Sequence, residues 1–242
     1  MLLLDVGNSR CKWARIQKGE WTRLGIAENG EWEKLQCDLD LLPPPARIII
    51  SNVGSDAVAQ HLRTICSKWA APVKFVTAQS RQCGVKNNYE DSARLGSDRW
   101  AALIAAWHRM GKSCLVVSCG TATTVDALSD SGEFLGGLIL PGITLMRQSL
   151  LHNTAQLRDE DGHMHDFPRN TADAIHSGVI RATLGAIEHQ YAMLQKLHSS
   201  ASLACVLGGG AAAQIETQLG MPVERVDNLV LEGLKIIGDA SA

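Results

Sequence analysis

The residues with the clearest chemical potential are carboxylates and hydroxyls set beside glycines. Asp5 closes the apolar run Leu2-Leu3-Leu4 and precedes Val6-Gly7-Asn8-Ser9, then Arg10-Cys11-Lys12. An uncompensated carboxylate is costly to bury there. It either bonds the backbone of its own turn or holds a cation. Mg2+ suits the second reading, through water, because it keeps several waters and binds few carboxylates. A glycine turn lets a ligand approach backbone amides, and Asn8, Ser9 and Lys12 could donate to phosphate. The lesser alternative for Lys12 is a surface lysine. The phrase recurs 113 positions on as Val116-Val117-Ser118-Cys119-Gly120-Thr121-Ala122, where Thr121 is the matching donor. Two such turns, one per half, suggest two phosphate-gripping hairpins.

A second group is Leu95-Gly96-Ser97-Asp98-Arg99-Trp100. Ser97 or Asp98 can cap a helix, and an acid suits its first turn. That leaves Arg99 unexplained, since a cation there opposes the macrodipole. Asp98 can instead serve as a general base for a hydroxyl proton, with Arg99 gripping an anionic substrate bidentately. Gly136-Gly137 with Pro141-Gly142 reads as a plain strand-to-helix connection or a ligand-contacting loop. Asn170-Thr171 is a good N-cap, and Gly178 inside the following helix implies that something packs closely against it. The triplet Gly208-Gly209-Gly210, between a strand and a helix, could cradle a nucleotide. His163-Met164-His165 is a weak metal signal in polar surroundings and reads as a solvated loop.

Elements that position these residues follow from pattern and punctuation. Strands are expected at 2–6, 12–16, near 21–23, at 47–51 and 73–76. A short helix is expected at 31–35, one from Ser55 to about Trp69 and one over 97–110, with 77–92 as a connecting loop. The second half repeats the plan. Strands are expected at 115–118, 123–128, 134–140 and 203–207, and helices at 143–151, 171–197, 211–219 and 228–240. Residues 157–170 read as loop. The pattern predicts two α/β halves, 1–111 and 112–242, each a mixed sheet flanked by helices. No Pro/Ser-rich linker separates them, so the halves are expected to pack together.

Composition narrows the function. A net charge of −2 offers no electrostatic case for nucleic acid or an anionic membrane. No apolar run approaches the roughly 20 residues of a membrane span, and the N-terminus lacks a signal-peptide pattern. Seven cysteines without a CxxC pair favour reduced thiols in a cytoplasmic protein.

The motifs DVGNS, GSDRW, SCGTATTVD, GGLILPG and NTADAIHSG resemble, in order and spacing, those of the type III pantothenate kinases. The resemblance runs from Leu2 past the Gly208 triplet. It implies an actin/Hsp70/sugar-kinase-like fold of two ribonuclease-H-like halves and ATP-dependent phosphorylation of pantothenate, the first step of coenzyme A synthesis. It implies a first phosphate loop over Asp5, Val6, Gly7, Asn8, Ser9, Arg10, Cys11 and Lys12, with Thr121 as the second phosphate contact. Asp98 is implied as the base, with Tyr89, Gly96, Ser97, Arg99 and Thr171 contacting substrate. Mg2+ at Asp5 and a homodimer are implied as well. The family often has Asp at the position of Ser118, binding a monovalent cation such as K+ or NH4+. A serine there supplies a dipole without charge, and Asp126 could contribute indirectly. The rival readings are a kinase for another small hydroxy compound and a nucleotide-binding accessory factor without kinase activity.

Overall fold

The computed structural model describes residues 1–153, 160–197 and 203–241. The chain forms two compact units, Met1–Arg109 with Asn228–Ala242, and Met110–Asp227.

In the first unit β1 (Leu2–Val6), β2 (Arg10–Gln17), β3 (Glu20–Glu28), β4 (Ile48–Asn52) and β5 (Val73–Phe75) form one sheet, ordered β3-β2-β1-β4-β5. The first three strands are an antiparallel meander, and β4 and β5 add in parallel. Leu2-Leu3-Leu4 and Ile48-Ile49-Ile50 are buried throughout, as a parallel pair covered on both faces requires. On one face lie α1 (Trp32–Asp40) and α2 (Asp56–Cys66), which contribute Leu35, Leu39, Leu62 and Ile65 to the core. α1 outruns the expected 31–35 because Leu35 and Leu39, one turn apart, are both buried. α2 stops at Cys66, short of Trp69, and Ser55 precedes it without a side-chain capping bond.

Residues 77–92 are more structured than a loop. β6 (Arg81–Gln82) and β7 (Val85–Asn87) make a hairpin, turned by Cys83 and Gly84 at φ 49° and 83°. Two successive positive φ values define the I′ turn that suits a twisted hairpin. Strands this short leave no periodicity to read. Helix α3 (Ser97–Met110) follows at its expected bounds.

The second unit repeats the order. β8 (Cys114–Cys119), β9 (Ala122–Leu128) and β10 (Glu133–Pro141) form the meander, followed by α4 (Ile143–Asn153) and α5 (Thr171–Leu197). β11 (Ala204–Gly208) and β12 (Val223–Arg225) then add in parallel beside β8, giving the order β12-β11-β8-β9-β10. The expected helix over 211–219 is instead two 3-10 turns, Ala212–Gln214 and Glu216–Gln218. The amide of Ala211 is bound to the Cys119 carbonyl at 3.1 Å, and Ile215 and Leu219 are both drawn into the core. Tertiary packing overrides the helix propensity of the alanines.

The last helix, α6 (Leu229–Asp239), belongs to the first unit, whereas the division at 111/112 assigns it to the second half. It packs on the β1–β4 face opposite α1 and α2. A Cβ on Gly238 would meet Met1 Sδ at 2.4 Å and Ile49 Cγ1 at 3.1 Å, and one on Gly233 would meet the Ala101 carbonyl of α3 at 1.9 Å.

Candidate active site

In the first unit Asp5 sits near the C-terminal end of the central strand β1, opposite Lys12 of β2 and Ser51 of β4. The following turn closes on itself, with the Gly7 amide donating to the Arg10 carbonyl at 3.0 Å. Asn29 clamps it, its Nδ2 donating to the Gly7 carbonyl at 2.7 Å and its amide to the Ser9 carbonyl at 2.8 Å. Asn29 is absent from the sequence expectations; only the turn pair Asn29-Gly30 marks it. Val6 and Cys11 point into the core, and burial pushes the Cys11 thiol up to about 12. These two positions therefore offer a ligand backbone only, whereas Asn8, Ser9 and Arg10 are exposed. Arg10 pairs with Glu28 at 3.0 Å.

Asp98 lies in the first turn of α3. The Trp100 amide donates to the Gly96 carbonyl at 2.9 Å, which puts Gly96, not Ser97 or Asp98, at the N-cap. The Ser97 hydroxyl meets the Ser51 hydroxyl at 2.9 Å, both residues buried. The Asp98 carboxylate leans over Gly96, where a Cβ would stand 2.6 Å from Oδ1, and Oδ1 accepts the Arg99 amide at 2.7 Å. Burial raises the Asp98 carboxyl, opposed by that hydrogen bond and the Arg99 charge. Burial, and then the charge of Asp98, push Asp5 up to about 7, with Lys12 opposing. Two carboxylates thus crowd one polar corner of this unit.

Arg99 is buried, and its Nη1 donates to the Tyr89 hydroxyl at 3.1 Å. Its guanidinium carbon stands 5.7 Å from the Tyr89 ring centroid. The Tyr89 amide is in turn fixed by Asn87 Oδ1 at 3.0 Å. Arg99 and Tyr89, separate expectations from the sequence, are one assembly.

In the second unit three glycine motifs converge on the tip of β8. The Gly120 amide donates to the Ala122 carbonyl at 3.0 Å, and the Gly142 amide to the Thr121 carbonyl at 2.9 Å. A Cβ on Gly142 would stand 2.2 Å from the Gly120 carbonyl oxygen, and one on Gly209 (φ 97°) would stand 2.4 Å from that of Cys119. Ser118 faces Thr124 of β9 and Gly208 of β11. This hairpin is one residue tighter than the first, so Thr124, not Val125, takes the place of Lys12. Asp126 is buried opposite Val116, one pleat back from Ser118, with Oδ1 over Gly137.

Thr171 opens α5. Asn170 Oδ1 accepts the Asp173 amide at 2.9 Å, and Asn170 Nδ2 donates to Asp173 Oδ2 at 2.6 Å, a reciprocal cap. The His163 amide donates to Asp173 Oδ1 at 2.7 Å, and His165 Nε2 lies 3.3 Å from Oδ2. The His163 hydrogen bond leads the causes that hold Asp173 below the usual carboxylate range. Among the described residues no three His, Cys, Asp or Glu side chains group as metal ligands. Thr171 borders a cavity of about 800 Å3 between α4 and α5, lined by Met146, Leu150, Arg169 and Ile175. Gly178 opens into this cavity with nothing within 4 Å of its Cβ position, so no close neighbour explains that glycine.

Two units, each a three-stranded meander extended by two parallel strands, with glycine hairpins at the central strand tips, define the actin- and sugar-kinase-like ATPase fold. The inorganic polyphosphate/ATP-glucomannokinase of Arthrobacter sp. strain KM shares it, at TM-score 0.50 and 14% identity over 100% of this chain and 99% of that one. A Baf-family chain of Campylobacter jejuni, described as a candidate transcriptional activator, aligns at TM-score 0.63 and 22% identity over 100% and 99%. The family model of type III pantothenate kinase matches residues 1–193. The type III pantothenate kinase of Nitrosospira multiformis is 45% identical over 98% of this chain and 90% of its own length. That of Aromatoleum aromaticum is 44% identical over the whole of both. The chain belongs to the type III pantothenate kinase family.

Proposed function

We propose that this protein transfers the γ-phosphoryl group of ATP to the primary hydroxyl of pantothenate, opening coenzyme A synthesis. The observation that carries the reading is the placing of Asp98 and Asp5 in one polar corner, beside a glycine hairpin that presents backbone and hydroxyl donors. Asp98 takes the hydroxyl proton. Burial keeps its carboxyl basic enough for that task. Arg99, braced by Tyr89, and the Gly96-Ser97 backbone orient the substrate, Arg99 countering its carboxylate. Asn8, Ser9 and Lys12 on the first hairpin, and Thr121 on the second, contact the phosphates. Val6, Gly7, Arg10 and Cys11 shape the first loop. Positioning and electrostatics carry most of phosphoryl transfer.

Mg2+ fits the donor chemistry of Asp5. Its carboxyl, pushed up to about 7 by burial and by Asp98, would be favoured in its charged form by a hard divalent cation. When bound, Mg2+ supplies charge neutralisation to the phosphate oxygens. Ser118 supplies a hydroxyl dipole but no anionic oxygen for a monovalent cation. Thr171 completes the substrate contacts. A homodimer belongs to the same proposal, and the exposed Leu145 and Leu150 of α4 support it. A cytoplasmic enzyme is proposed from its free cysteines. Among the described residues no helix is long and apolar enough to cross a membrane.

Coupled measurement of ADP release with ATP, Mg2+ and pantothenate tests the reading. Pantothenate-dependent turnover is expected. ADP release that ignores pantothenate but follows another hydroxy acid or a sugar would overturn the acceptor, and nucleotide binding without product would overturn the kinase.

A further inference from the structure

Among the buried polar groups that the proposed site does not use is the hydroxyl of Ser51. It lies beside Asp5 in the parallel β1–β4 register, on strands about 4.8 Å apart. It is fully buried, and its hydroxyl meets that of Ser97 at 2.9 Å. Ser97 is the first residue of α3 and immediately precedes Asp98. The next turn of chain after β4 reinforces the corner. The Val53 amide donates to the Val6 carbonyl at 3.1 Å, and Asn52 Oδ1 accepts the Gly54 amide at 3.1 Å. Val53 Cγ1 would stand 3.8 Å from a Cβ on Gly96. In the second unit the residue in the register of Ser51 is Gly208, so the repeated topology alone does not call for a hydroxyl here.

We propose that Ser51 is a positioning residue, tying the start of α3 through Ser97 to the strand beside Asp5 and so fixing where the Asp98 carboxylate stands. The argument rests on the kinase reading for the role of Asp98, and on geometry for the tie. A hydroxyl buried without a partner is costly, so each serine makes the other's conformation the favourable one. Asp98 is one residue along a rigid helical turn, and its placement follows that of Ser97. Loss of the tie lets the first turn of α3 drift without removing any group that touches ATP.

The test is a cycle of Ser51→Ala, Ser97→Ala and the double variant in the full chain. Ser51→Ala is expected to lower kcat on the order of ten- to a hundred-fold, the cost of sub-ångström to ångström misplacement, with KM for ATP held within about twofold. The double variant is expected to lose no more than Ser97→Ala alone. Hydrogen exchange of the peptide spanning Leu95 to Trp100 should quicken in ligand-free Ser51→Ala, with β1 and β4 unchanged. A kcat within about twofold of the parent, costs that multiply in the double variant, or unchanged exchange would each overturn the proposal. If Ser51→Ala fails to fold, Ser51→Cys keeps the volume with a much weaker hydrogen-bonding group and is read in the same way. Turnover of pantothenate by the parent protein decides the kinase reading separately, and the exchange measurement needs no substrate.

Discussion

Gly96→Ala isolates the placement of Asp98 from the stability of the fold. The Gly96 φ lies outside the left-handed region, so alanine is tolerated by the backbone. The new methyl would stand 2.6 Å from Asp98 Oδ1, whereas ordinary contact begins near 3.4 Å. The other neighbours are Asp98 Cγ and Val53 Cγ1, both at 3.8 Å, so nothing but the carboxylate has to yield. Oδ1 retreats by roughly 0.8 Å and gives up its 2.7 Å bond from the Arg99 amide. Displacement of a catalytic group by about 1 Å costs on the order of a hundredfold in rate. The lost glycine entropy in the unfolded chain, roughly 0.4–1 kcal/mol, offsets part of the strain. The expected result is kcat reduced by one to two orders of magnitude with a melting temperature within a few degrees of the parent. Steady-state ADP release and calorimetry on one preparation measure both. A variant that keeps kcat within about threefold would show that the carboxylate does not act from this position.

Asp98→Asn keeps the shape and removes the base, and kcat should fall by roughly 10²- to 10⁴-fold with an unaltered circular dichroism spectrum. Asp5, raised to about 7, binds a proton in the folded state that the unfolded chain has released. Its contribution to unfolding free energy therefore falls as pH rises from about 4 to about 7, by at most about 4 kcal/mol. Urea titrations of the metal-free protein should show that decline flattened in Asp5→Asn, and Mg2+ should raise the melting temperature more at pH 8 than at pH 5. Gly233→Ala would place a methyl 1.9 Å from the Ala101 carbonyl oxygen. The melting temperature should fall by an amount matching about 3 kcal/mol or more, and a variant as stable as the parent would refute the α3–α6 packing.

The sequence is most legible where glycine, proline and long apolar runs punctuate it. The runs at 2–4 and 48–50 and the helix 97–110 carry their element type in burial demand and period. The glycine motifs at 120, 142 and 209 are visible as motifs, but their convergence on one strand tip depends on backbone-to-backbone approach that no local pattern encodes. The hairpin at 81–87 and the strand at 223–225 are too short for a period. Ala211-Ala212-Ala213 looks helical because propensity is local, while the bond to Cys119 and the burial of Ile215 are not. Asn29 and Ser51 carry ordinary polar side chains in ordinary contexts. Only strand register makes them partners of a loop or of Ser97.

The repeated hairpin is a repeat of topology more than of chemistry. Register pairs Asp5 with Lys12 and Ser51 in the first unit, and Ser118 with Thr124 and Gly208 in the second. A carboxylate, a cation and a hydroxyl are thus matched by two hydroxyls and a glycine. The first set can hold charge and a proton, and it lies beside the helix that carries Asp98. The second can offer hydroxyl and backbone donors but no compensating charge. On this reasoning Ser118→Asp would put a carboxylate where the second hairpin has none. Thr124, its partner across the strands, supplies no cation to balance it. The variant should bind ATP more weakly in the absence of added K+ and recover as K+ is raised. Equal ATP affinity with and without K+ would show that position 118 is remote from any cation or phosphate.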